Sequence, residues 1–158
     1  MKKVLIALDY GPTAQKVAEK GFAFAKSLSA QAILIHVISD PMYYTSTAYS
    51  PIMGFNGFMN IGTLQPEILD DLQKASTDFL NKTKQHLGDT DIEIIAVEGD
   101  AAAAILEAAS DRKIDVIAIG SHSQKWLEAI VMGSVTEQVL RHTNIPLYII
   151  PTKEIIIE

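Results

Sequence analysis

Four residues in the second half of the chain have the types and spacing of an anion cradle: Gly120-x-x-Ser123, nine residues, then Gly133-Ser134. Gly120 closes the apolar run Val116-Ile117-Ala118-Ile119, and Ser134 opens a short amphipathic pattern carrying Val135, Val139 and Leu140. That order describes a strand running into a loop that ends on a helix N-terminus. The first N–H groups of such a helix have no intrahelical acceptor, and with the helix dipole they favour an anion by roughly 0.3–2 kcal/mol. Gly133 would let a phosphate come close to the backbone, and the Ser134 hydroxyl would add a donor. Ser134-Val135-Thr136-Glu137 fits a capping box equally well, in which Ser and Glu only close a helix end. Asp9, behind the apolar run Val4 to Leu8, has the same two readings: an acceptor for ligand hydroxyls, or a cap for a helix beginning near Thr13. On the residues alone, both alternatives stand.

Other chemistries find no seat. The chain has no cysteine, which removes disulfides, thiolate catalysis and cysteine zinc sites. Gly11-Pro12-Thr13 is not continued into a Walker loop, and there is no Gly-x-Ser-x-Gly elbow for a hydrolase nucleophile. His36, His86, His122 and His142 are scattered without metal-ligand spacing. His36, inside a strand, reads as a packed histidine with its hydrogen bonds made, and His142 as a favourable charge near a helix C-terminus. His122 and Trp126 fall in the candidate site loop, where an exposed loop position and a packing anchor are the simplest readings. With 13 basic against 19 acidic residues the net charge is -6, and no basic stripe is present to track a nucleic acid backbone. No run approaches the ~20 apolar residues of a membrane span, so the expected compartment is the cytoplasm.

The elements that must position these residues follow a regular rhythm. Five apolar, β-rich runs start near Val4, Ala32, Ile92, Val116 and Pro146. Their continuous rather than alternating apolarity predicts strands covered on both faces, as in a parallel sheet. Between them, Ala14 to Leu28, Ile68 to Phe79, Ala101 to Ala109 and Ser134 to Arg141 carry helical spacing. The β-α alternation calls for right-handed crossovers and helices on both faces of one sheet. At 158 residues the chain is expected to be one domain, 1–158. Ligands of such sheets bind beyond the carboxyl ends of the strands, where strand order reverses. Two stretches break the rhythm. Residues 41–66 are uncharged and rich in Tyr, Phe and Gly, as in a cover or binding loop. The tail 152–158 holds three successive isoleucines.

The spacing Gly120-x-x-Ser123-(x)9-Gly133-Ser134 closely resembles the nucleotide-binding signature of the universal stress protein family, Gly-x-x-Gly-(x)9-Gly-(Ser/Thr). The likeness extends through Val4-to-Asp9, Leu34-to-Val37, Glu98-Gly99-Asp100 and Gly133-to-Pro146. It implies a Rossmann-like α/β fold of the adenine nucleotide alpha hydrolase type, an open five-stranded parallel sheet in order 3-2-1-4-5. It also implies a homodimer, formed here along the edge strand Leu147–Ile150 and the tail, and, in one branch of the family, ATP held at the strand ends. Carried onto this sequence, Asp9 meets the ribose, Val37 offers backbone groups to adenine, and Gly120 approaches the ribose, with Ile119 in the same set. Ser123, Gly133, Ser134 and Val135 surround the phosphates, and Mg²⁺ accompanies a triphosphate, held largely by phosphate oxygens. Ser123 departs from the signature, which has glycine there. A Cβ in a left-handed conformation costs about 1–2 kcal/mol, enough to weaken affinity about tenfold. The function expected from the likeness is regulatory nucleotide binding in a stress response, without implied turnover. A partner-binding dimer with an empty cleft and a slow ATP hydrolase using Asp9 are the alternatives.

Overall fold

A computed structural model describes residues 1–9, 13–39, 66–121 and 133–152. The elements run β1 (Lys3–Leu8), α1 (Ala14–Ser27), β2 (Gln31–Ile38), α2 (Pro66–Leu87), β3 (Glu93–Glu98), α3 (Ala101–Asp111), β4 (Val116–Gly120), α4 (Ser134–His142) and β5 (Leu147–Ile150). All five strands are parallel and lie in the order β3-β2-β1-β4-β5. The parallel sheet is what the β-α rhythm predicts, and its strand order is the one the family resemblance implies. The uncharged stretch gives way to α2 at Pro66, a residue whose fixed φ and missing N–H suit a first helical position.

Strand side chains divide the core into two layers, because successive residues of a strand point to opposite faces. Val4, Ile6 and Leu8 of β1 and Ala32 and Leu34 of β2 face Val17, Ala18 and Ala25 of α1 and Leu80 of α2. Leu5 and Ala7, with Ile33, Ile35 and Val37, face Ala102, Ile105 and Ala109 of α3 and Val139 of α4. Burial on both faces accounts for the unbroken apolar runs of the inner strands. On the first face α1 sits unusually close to the sheet. A Cβ placed on Gly21 would meet the Ile6 side chain at 3.0–3.2 Å.

Two helices stop by the same device before a strand begins. After α1, Ser29 takes φ 53° while Ala30 N–H reaches back to Ala25 O at 2.9 Å and Ser29 N–H to Lys26 O at 3.0 Å. After α3, Lys113 takes φ 54°, with Ile114 bonded to Ala109 O and Lys113 to Ser110 O. This pair of bonds satisfies the last free carbonyls of a helix and turns the chain back toward the sheet. α3 begins equally firmly, on Asp100, whose carboxylate accepts from Ala103 N–H at 2.9 Å.

Candidate functional site

Strand order fixes where a ligand would sit. From β1 the chain steps outward through β2 to β3, then returns past β1 to β4 and β5. The crossovers therefore diverge between β1 and β4, and the crevice beyond their carboxyl ends is the binding position in open parallel sheets. Asp9, half-buried, leaves β1 on one side of this crevice. Ile119 and Gly120 end β4 on the other, with Ala7 opposite Ile119 in the register. Val37, nearly buried at 9% exposure, is the penultimate residue of β2, one strand away and paired with Val97. The exit of β3 is drawn to the same end, because Gly99 N–H donates to Ile38 O at 3.2 Å.

The start of α4 is fastened to the end of β4. Gly133 N–H donates to Ser121 O at 2.6 Å, and the buried Thr136 Oγ1 donates to Gly120 O at 2.7 Å. Ser121 in turn is held from the far side: its N–H donates to Ile150 O at 2.9 Å. Its Oγ accepts from Thr152 N–H at 3.1 Å. Gly120, Gly133, Ser134 and Val135 are thus brought together at one end of β4. Asp9 and Ile119 join them across β1–β4.

The helix end bears on the capping reading of Ser134. Gly133 is the N-cap of α4, with no side-chain cap, and Ser134 is the first helical residue. The capping box is therefore not formed at this end, and Glu137 instead pairs with Arg141 at 2.7 Å. Glu137 N–H is the first to bond within the helix, to Gly133 O at 2.9 Å. By helix geometry the N–H groups of Ser134, Val135 and Thr136 precede the intrahelical ladder. Gly133 itself has φ -59°, a conformation open to any residue. What glycine adds here is the missing Cβ at the mouth of the helix, and its own N–H is committed to Ser121. The N-cap residue of α1 is Thr13.

Ser123, His122 and Trp126 lie outside the described residues, as do residues 41–65 and the isoleucines of the tail. Among the described residues no group of His, Cys, Asp and Glu is arranged to hold a metal ion, and no helix is long and apolar enough to cross a membrane. Three residues beside these positions were not singled out by the signature. Thr136 and Ser121 are small polar residues next to signature positions. Thr136 could have been found as the polar member of the inward stripe it forms with Val139. The third is His36. Its ring is 1% exposed, lies edge-on to Phe79 with centroids 6.0 Å apart, and its Nδ1 is 2.9 Å from Leu8 O. A carbonyl oxygen only accepts, so Nδ1 carries a hydrogen. Burial pushes the pKa of His36 below its ordinary value, against a smaller opposing effect of the Leu8 carbonyl.

Comparison with known proteins places this geometry in a family. Universal stress protein MJ0577 of Methanocaldococcus jannaschii is 28% identical over 155 residues, covering 96% of both chains. Universal stress protein A of Escherichia coli K12 is 24% identical over 153 residues, covering 97% of this chain and 96% of its own. The solved structure of MJ0577 superposes with a TM-score of 0.72 over 97% of each chain. A universal stress protein crystallised in complex with cAMP shares the fold, with a TM-score of 0.59 at 19% identity over 96% of this chain and 98% of that one. The model of the universal stress protein family matches residues 1–151, and the chain belongs to that family.

Proposed function

We propose that this protein binds an adenine nucleotide, ATP with Mg²⁺, in the crevice between β1 and β4, and that its occupied state serves a regulatory, stress-response role in the cytoplasm. The observation that carries the reading is the mouth of α4. It presents N–H groups at Ser134 and Val135 that have no acceptor among the described residues, behind a residue without Cβ, at the sheet's switch point, with Asp9 leaving the neighbouring strand. That donor set suits phosphate, by backbone N–H groups and the helix dipole rather than by basic side chains. Asp9 suits the sugar, whose hydroxyls donate, and would repel phosphate directly. Ile119 and Gly120 flank the ribose and Val37 offers its backbone to the base, while the signature assigns Ser123 to the phosphates. Mg²⁺ would be held chiefly by phosphate oxygens. The family bond supports this reading, and a relative of the same fold has been crystallised with cAMP.

Native mass spectrometry of freshly purified protein, followed by calorimetric titration with Mg-ATP, tests it. A mass increment of ATP or AMP, or saturable ATP binding in solution, is the expected result. Protein that copurifies with nothing and gives no binding at millimolar ATP overturns the reading in favour of a partner-binding dimer. Steady phosphate release abolished by Asp9→Asn would turn it into a slow hydrolase.

A further inference from the structure

The two residues expected to hold the nucleoside, Asp9 and Val37, stand on different strands, and one buried side chain lies between them. His36 precedes Val37 in β2, and its register partner is Leu8, the residue before Asp9. Its Nδ1–H crosses from β2 to the Leu8 carbonyl at 2.9 Å, at the last peptide of β1 before the crevice. The ring is fully enclosed and braced edge-on by Phe79 of α2, so it has little freedom to follow a shifting strand end. We infer that His36 is a positioning residue of the nucleotide site, which fixes the Leu8–Asp9 peptide against the Val37 backbone through its Nδ1–H. The inference rests on the nucleotide reading above and deepens it by naming what holds the two nucleoside contacts in register.

The chemistry of the donor gives a selective test. Asparagine places an N–H at the position of Nδ1 but leaves the remainder of the ring space unfilled. Leucine restores bulk and offers no donor. If His36 acts only by packing, leucine should be the better replacement; if it acts by positioning, asparagine should be, despite its poorer fit. Mg-ATP affinity by calorimetry is expected to fall about tenfold in His36→Leu, the scale of one lost hydrogen bond, and to stay within about twofold of the parent in His36→Asn. Parent-like affinity in His36→Leu, or affinity in His36→Asn as weak as in His36→Leu, overturns the inference. Should His36→Leu fail to fold, His36→Gln takes its place, with its nitrogen where Nε2 stands, and the same outcomes apply. Amide hydrogen exchange at Asp9 separates this from failure of the nucleotide reading. If the parent binds no ATP, exchange about tenfold faster in His36→Leu and parent-like in His36→Asn still upholds the positioning role. Unchanged exchange in His36→Leu, or equally fast exchange in both variants, ends it.

Discussion

Thr136 Oγ1 donates a 2.7 Å hydrogen bond to the carbonyl oxygen of Gly120, joining the first turn of α4 to the last residue of β4. Both ends of this bond are buried, so its loss leaves an acceptor that water does not reach. Valine matches threonine in shape and lacks the donor. Thr136→Val should therefore cost about 1–3 kcal/mol, the penalty of an unsatisfied buried group. It should appear as a lower urea midpoint at unchanged slope. ATP affinity should fall as well, because the helix mouth loses its tie to the strand end. An unchanged midpoint would mean that the bond is not formed in solution.

Gly133 allows its two possible roles to be separated. Its backbone, at φ -59°, accepts any side chain, and its N–H is committed to Ser121 O. Gly133→Ala and Gly133→Val should both fold with thermal midpoints near the parent's. ATP binding should weaken in the first and vanish in the second, as the added carbons fill the approach to Ser134 and Val135. Tight binding in Gly133→Val would remove α4 from the site.

The sheet could be read from the sequence because its inner strands are buried on both faces, and five apolar, β-rich runs are separated by helical spacing. The signature spacing likewise placed Gly120, Gly133, Ser134 and Val135, since a strand end and a helix start joined by a loop leave two glycines at fixed separation. The ties between them carry no such mark. Ser121–Thr152 and Thr136–Gly120 join residues 31 and 16 positions apart, and no local pattern announces a pairing made only by the fold. The histidine of β2 was legible as a packed residue with a satisfied bond. Its partner was not, because parallel register decides which peptide lies beside it. Ser134 shows the opposite limit: serine followed by glutamate three residues on has the composition of a capping box. The chain instead begins its helix one residue earlier, on glycine, and local sequence does not distinguish the two.

Burial lowers the pKa of His36, which makes stability depend on pH with a definite sign. The native ring binds its proton less readily than the same ring in the unfolded chain, which titrates near the ordinary value of about 6.5. Unfolding therefore takes up a proton in this range, and stability rises with pH. The contribution of His36 is fully present above about pH 6.5 and is lost as pH falls from there through the lowered native value. Urea midpoints of the parent should decline between about pH 7 and pH 5.5, above the range where most carboxylates titrate. His36→Asn should show a shallower decline, with the other histidines common to both proteins. Parallel profiles would show that His36 does not titrate differently in the native and unfolded states.

The sheet ends on β5, whose outer edge faces no strand among the described residues. An edge of uncharged residues invites pairing unless it is blunted or covered, and Leu147 to Ile150 carries no charge. Their side chains are largely spent within the protomer. Ile150 is buried, Leu147 and Ile149 pack against the α3–α4 layer, and Tyr148 stacks on Phe24 at 4.1 Å. What β5 leaves for a second copy is its backbone edge, bounded by Pro146 and Pro151, which cannot donate to a ladder. We propose a homodimer about this edge, with most of its stability from tail burial at roughly 25 cal/mol per Å². The choice of substitution matters. Ile149→Lys would place a charge against the protomer's own core and confuse unfolding with dissociation. Ile156→Lys lies beyond β5 in the sequence and changes none of the β5 side chains, so it should convert a dimer to a folded monomer in analytical ultracentrifugation, with circular dichroism unchanged. A parent protein that sediments as a monomer at tens of micromolar, or an Ile156→Lys variant that remains dimeric at the lowest measurable concentration, would remove the tail from any role in assembly.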